Sequence, residues 1–453
     1  MSARRGARPT TGAGRGGDPE GCAGVVCAVH GAALALLAAS LGAVAVRGLS
    51  TPGVALAFMA LIALGECVRI TLPGDREQAP IGAAGALAYA LLGPLRGLPT
   101  GHGVLQVVAV TGAGLLLALL PGALAPALGP RRGVRRRVRA PWRERARRDG
   151  AARRLLGAAF AAAVFQPLYN SGVVDRFSAD GPAYGAFLTA VAALAALCDA
   201  VLAAVLRRAR SGLRFPAALE DELRSLFGIG SAIAATGMLV SLAAGEVGLW
   251  ALPLFCAPLL MAQVSFRRAA AVRATTGQTI ASLAKATEVA GYTPPGHARR
   301  VADTACAVGR ELGLGTRELA LLEYAALMHD VGQLSLVEPV PGGATALLPD
   351  EEQQRIARLG SEVIRRTGVP RQVAEQVARL ADPHPGPEGG GRAVPLAARI
   401  IRVANAHDDL LTAARGRGLG EAVGRLEVLE ALRLGRGRLY DARVVDALVR
   451  VRG

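Results

Sequence analysis

Lysine is almost missing from this 453-residue chain: Lys285 stands alone among 52 basic residues. That preference for arginine carries no mechanism by itself. Aromatic residues are scarce as well, at 4%. Twelve arginines crowd Arg131 to Arg154 against only Glu144 and Asp149, and Trp142 is the aromatic residue beside them. The net charge of +17 is therefore not read as a nucleic-acid surface, which needs rings on which bases can stack. Cysteine pairs at metal or redox spacing are absent too. Cys22, Cys27, Cys67, Cys198, Cys256 and Cys306 are scattered, five of them in or beside apolar runs, and none forms a CxxC. This excludes a disulfide framework and leaves small buried hydrophobes. Internal repeats and paired broken helices of the kind transporters use are not seen.

What the chain does have is apolar residue, 52% of the total, concentrated before Phe266. After a basic, Gly-rich segment at residues 1–21 that is expected to be disordered, apolar runs occur at Ala23–Val46, Pro52–Leu72, Pro80–Leu95, Gly103–Leu128, Leu155–Leu168, Tyr184–Leu206, Leu226–Ala244 and Val247–Phe266. The first is too long for a signal-peptide core and reads as a retained span. About eight transmembrane helices are expected over residues 22–266. With the N-terminus inside, the arginine-rich connections all face one side and the outer loops hold only Arg47, Arg96 and Arg176. The asymmetry places both termini in the cytoplasm of a multi-pass cell-membrane protein, with Arg131 to Arg154 touching lipid headgroups. Within the spans, Glu66 and Asp199 read either as a ligand or proton site or as structural charges, Glu66 able to pair with Arg69 and Asp199, about two turns from Arg207, able to approach the membrane interface.

Residues 267–291 read as one connecting helix. Ile280, Leu283, Thr287 and Ala290 recur at three- and four-residue spacing, which suits a homodimer seam or a tether packed on its own domain. Beyond it, caps and prolines mark helix after helix: Thr293 before Pro294 and Pro295, Thr316 before Arg317 to Asp330, Asp350, Pro370, Pro395 and Asp441. No strand-period segment interrupts them, so residues 292–453 are expected to form an all-α domain behind an all-α membrane bundle.

Four of the six histidines, His297, His329, His384 and His407, lie in this last part. His329 and Asp330 are adjacent at the end of an apolar helix, and Gly332 lets the chain turn away without covering them. A helical bundle could gather His297, this doublet and the carboxylates Asp408 and Asp409 around one divalent ion.

With TIASLAKATEVAGYTPPGHARRVA around His297, ELALLEYAALMHDVGQLSL around the doublet, GSEVI, AARIIRVANAHDDLLT and GRGRLYDARVVDALV in order, the chain from about Gln278 to Val451 resembles the HD-GYP branch of the HD phosphohydrolase superfamily. The resemblance implies a metal (Mn, Fe, Zn or Mg) held by His297, His329 and Asp330, with His329 and Asp330 at the catalytic centre, and hydrolysis of a nucleotide phosphodiester, cyclic di-GMP being the family's substrate. Several positions depart from the pattern. Asn405 replaces an Asp ligand, Gln333 replaces a Lys, Ile356 stands where a His precedes GSEVI, and the paired-His and GYP block is shortened to ADPHPGPEGGG. His384 and Asp408 remain as additional ligands to consider. Two functions are left open: a membrane-bound signalling phosphohydrolase, and a degenerate domain that binds a nucleotide or a partner without turnover.

Overall fold

The computed structural model describes residues 19–72, 76–119, 141–173, 181–382 and 394–452. Most of the expected disordered N-terminus, part of the arginine-rich loop, His384 and most of the shortened GYP block lie outside these residues. The chain divides into two compact units, one of Glu20–Ser211 and Phe215–Arg273, the other centred on Ala274–Gly453.

The first unit contains helices α1 (Pro19–Arg47), α2 (Pro52–Cys67), α3 (Pro80–Ala90), α4 (Val104–Leu117), α5 (Pro141–Asn170), α6 (Pro182–Ser211), α7 (Phe215–Ser225), α8 (Ser231–Val247) and the start of α9 (Ala251–Val289). Each of the eight apolar runs falls on one of these helices. By length and composition, three helical stretches among the described residues can cross a membrane: Ala23–Arg47, Pro182–Ser211 and the run Phe215–Val289. The others are limited for physical reasons. At about 1.5 Å per residue against a hydrocarbon core of about 30 Å, α2, α3 and α4 are short, and the first half of α5 is charged. α3 stops at Ala90, earlier than the apolar run predicts, because the chain turns into a two-stranded hairpin, Pro94–Leu95 with Leu98–Pro99, through Gly97 at φ 74°. A second small hairpin pairs Ile70–Leu72 with Arg76–Gln78. α2 and α3 meet at two glycines: a Cβ on Gly65 would lie 2.3 Å from the Gly82 nitrogen.

Glu66 is fully buried and pairs with Arg69, as its spacing predicts, and also with Arg154. Arg153 holds Asp199, with Nε donating at 3.0 Å, whereas Arg207 reaches Glu222 at 3.2 Å. α5 and α6 lie side by side, so the partner of Asp199 comes from the neighbouring helix.

The second unit continues with α10 (His297–Glu311), α11 (Thr316–Leu327), α12 (Asp350–Arg366), α13 (Arg371–Ala378), α14 (Leu396–Gly416), α15 (Glu421–Leu434) and α16 (Ala442–Arg452). Each buries one stripe. On α10 it is Val301, Ala302, Ala305 and Val308, which meet Leu322, Ala325 and Ala326 of α11, Ile400 and Ile401 of α14 and Val444, Val445 and Leu448 of α16 in one core. α12 opens on Asp350, Glu351 and Glu352 and closes on Arg365 and Arg366, each charge opposing the helix-dipole end it sits on. Ile280, Ala284 and Thr287 of α9 are buried, and Ile280 belongs to this same core. The seam that sequence reads as a dimer contact or a tether is therefore occupied by the chain's own domain. Thr293 does not cap α10 either: the helix begins at His297 behind Gly296, and the Thr293 hydroxyl lies 3.1 Å from that of Thr287.

Candidate metal centre

α11 ends at Leu327, and a short 3₁₀ turn, Val331–Ser335, follows the doublet. The turn is pressed onto α12. A Cβ on Gly332 would stand 2.1 Å from the Ile356 carbonyl oxygen, so only glycine allows this approach. The result points His329 and Asp330 back into the bundle, where both are buried with His297.

Four side-chain atoms then converge. His297 Nε2 and His329 Nε2 are 3.4 Å apart, Asp330 Oδ2 lies 3.2 Å from each, and Asn405 Oδ1 of α14 lies 3.1 Å from His329 Nε2. The protons are accounted for elsewhere. His297 Nδ1 faces Asp408 Oδ2 at 2.8 Å, and His329 Nδ1 faces the carbonyl of Ala326 at 2.7 Å, one of the acceptors left open at the end of α11. When neutral, each imidazole so oriented donates from Nδ1 and turns its Nε2 lone pair to the centre. The amide nitrogen of Asn405 donates to Thr345 Oγ1 at 3.0 Å and that hydroxyl donates to Asp330 Oδ1 at 3.1 Å, which turns the Asn405 oxygen inward. These ligand-type atoms thus converge on one point, an arrangement suited to a positive charge, either a bound ion or a proton held by the imidazoles. A tetrahedral ion about 2.1 Å from its ligands has ligand–ligand edges of roughly 3.4 Å, close to the spacings observed. Among the described residues, His297, His329 and Asp330 are the group that could hold a metal.

The electrostatics agree. Burial disfavours protonation of His297, but its hydrogen bonds to Asp330 and Asp408 win and raise it to about 10. His329 is raised in the same way, against burial, by the charge of Asp330. Burial pushes Asp330 up, yet His329 and His297 hold it well below the usual carboxylate range. The centre attracts positive charge, and a proton occupies it in the absence of an ion.

Asp408, which sequence offers as an additional ligand, is not one here. Its oxygens are taken by His297 Nδ1 and by Arg300, whose Nε and Nη2 donate at 2.8 and 2.9 Å, so it orients the histidine from behind. Asp409 accepts from the Ala346 nitrogen at 3.0 Å and is raised to about 6, chiefly by burial. His407 is buried away from the cluster; burial and Arg452 lower it to about 4. Gln333 is buried with neither amide atom hydrogen-bonded among the described residues. Ile356 puts hydrocarbon where a further histidine ligand would stand. Thr345 and Arg300 escape a reading by motif: Thr345 sits in an irregular turn without a pattern, and Arg300 is signalled only by lying one helical turn after His297.

A cavity of about 210 Å³ opens beside the doublet, lined by His329, Asp330, Thr345, Arg402, Asn405 and Tyr440 among others. Residues 296–409, which include every member of the cluster, match the family model described as HD domain. Over 185 residues, 39% of this chain, the sequence is 34% identical to the cyclic di-GMP phosphodiesterase response regulator RpfG of Xanthomonas campestris pv. campestris (strain 8004). The match spans 48% of that protein, so the chain covers about half the length of this relative. With the domain match, the metal-seeking cluster and the helical fold in agreement, the C-terminal part of the chain is an HD-GYP-like member of the HD superfamily.

Proposed function

We propose that the chain is a membrane-anchored signalling protein whose HD domain is a metal-dependent phosphohydrolase acting on a nucleotide phosphodiester. The observation that carries this reading is the convergence of His297 Nε2, His329 Nε2, Asp330 Oδ2 and Asn405 Oδ1 within 3.1 to 3.4 Å of their neighbours. These four atoms would hold the ion, with Asp408 and the Ala326 carbonyl fixing the imidazole tautomers and Thr345 locking Asp330 to Asn405. When bound, a divalent cation supplies Lewis-acid stabilisation of the phosphoryl oxygens and makes a water molecule more acidic. The open cavity on the doublet's side would give the phosphodiester access to the doublet. Cyclic di-GMP is the substrate suggested by the relative.

The arginine asymmetry supports both termini lying in the cytoplasm, where such a nucleotide is found. The neutral amide of Asn405 and the hydrocarbon of Ile356 favour a second reading, a domain that binds its nucleotide without turnover. The deciding experiment loads the full-length protein with manganese, iron, zinc or magnesium and screens cyclic dinucleotides and a bis-aryl phosphodiester. Turnover that is lost in both His329→Ala and Asp330→Ala supports hydrolysis at this centre. A bound ion with no turnover supports the binding module.

A further inference from the structure

The cavity beside the doublet collects lone pairs at one end. Its lining also includes Arg402, the one arginine or lysine among its lining residues. Arg402 precedes Asn405 by three residues on α14, so the two side chains leave the same face of the helix. Its side chain is 17% exposed and is held at one point, with Nη1 donating to the carbonyl of Asp382 at 2.7 Å. The carboxylate recorded beside it, Asp350, is 3.8 Å from Nη2 and 73% exposed, a long and solvent-screened pair. The neighbouring arginines differ. Arg300 places two N–H groups on Asp408 at 2.8 and 2.9 Å, and Arg399 binds Asp441. Among the described residues, Arg402 Nε and Nη2 make no hydrogen bond.

The sequence supplies a second reason to look here. Gln333 stands where the resembling family carries a lysine; it is fully buried and does not line the cavity. Lys285, the chain's single lysine, lies on α9 and pairs with Glu288 at 2.8 Å. A positive charge facing a substrate in this cavity therefore has to come from an arginine.

We propose that Arg402 anchors a phosphate group of the substrate in this cavity, which it shares with His329, Asp330 and Asn405. The planar guanidinium presents parallel N–H groups that match two oxygens of a phosphate, a geometry that an ammonium cannot reproduce. The cavity has room for several water-sized groups, and the ligand class is a phosphate ester. The inference rests on the phosphohydrolase reading for its substrate class.

Inorganic phosphate is the probe for the test. Its affinity is measured by calorimetry on the full-length, detergent-solubilised protein with and without manganese, alongside KM for a bis-aryl phosphodiester. Arg402→Gln is expected to weaken phosphate binding and raise KM by about tenfold to a hundredfold, the range for a hydrogen bond to a charged group, while manganese affinity measured without phosphate stays within about twofold. Should Arg402→Gln fail to fold, Arg402→Lys decides, because losing the fork alone is expected to weaken phosphate binding about threefold. Unchanged phosphate affinity in the folded variant, or a wild type that does not bind phosphate, overturns the proposal. A wild type that binds phosphate through Arg402 but hydrolyses nothing supports the anchor while removing the hydrolase reading, so the two failures are distinct.

Discussion

Both units bury carboxylates, and they settle the cost in opposite ways. In the first unit every buried or half-buried carboxylate described above has an arginine against it: Glu66 with Arg69 and Arg154, Asp199 with Arg153, Glu222 with Arg207. Such groups are self-neutralised, and they explain architecture rather than chemistry. In the HD unit, Asp330 Oδ2 faces two imidazole nitrogens at 3.2 Å, and among the described residues no arginine or lysine is set against it. The carboxylate there meets imidazoles, whose proton an ion can replace, and not a fixed guanidinium. Burial of charge points to a functional centre where the partner is an exchangeable proton, and to architecture where it is a fixed guanidinium.

The comparison can be broken most severely at the doublet. His329→Ala or Asp330→Ala should abolish stoichiometric metal binding, measured by elemental analysis of the purified full-length protein, while the unit remains folded. The counterpart in the first unit is Arg154→Met, which strips a guanidinium from a buried glutamate. Removing one member of a buried pair costs about 3–5 kcal/mol, and thermal unfolding in detergent should show it. Adding Glu66→Gln to that variant should recover most of the loss, an outcome expected of a structural pair and not of a ligand site.

Smaller changes sharpen the contrast. Asp408→Ala leaves all four converging atoms in place but frees the His297 ring, and should weaken metal binding about tenfold to a hundredfold, the usual cost of losing the group that orients a ligand. Asn405→Asp adds the missing negative charge and should tighten manganese binding about tenfold. pH gives the mildest test. With His297 raised from 6.5 to about 10, the proton it holds stabilises the metal-free fold fully below pH 6.5, and this contribution is lost as pH rises through 10. An ion must displace that proton, so apparent metal affinity should rise by about tenfold per pH unit below that value for each proton released. Calorimetry at several pH values reads the slope.

The centre is legible in the sequence where its parts are local. His329 and Asp330 are adjacent, Gly332 announces the turn, and His297 stands at the head of a helix whose apolar stripe gives its orientation. Asn405 is placed by the motif around it. What sequence misassigns depends on contacts across long separations: Asp408 is a ligand candidate until His297, 111 residues earlier, is seen to occupy it from the Nδ1 side. Thr345 joins Asp330 to Asn405 from a turn with no periodicity to read. The helical class of both units follows from spacing and caps, but helix ends do not. α3 is cut short by a hairpin that apolar content alone conceals, and Ile280 proves to belong to the domain core.

The central claim is that the HD unit withholds its own cation so that an ion can fill the place. The most direct test is metal titration of the full-length protein, comparing wild type with His329→Ala at the same pH. The account predicts one divalent ion per chain in the wild type and none in the variant. A wild type that retains no ion, or a variant that binds as well as the wild type, would contradict it.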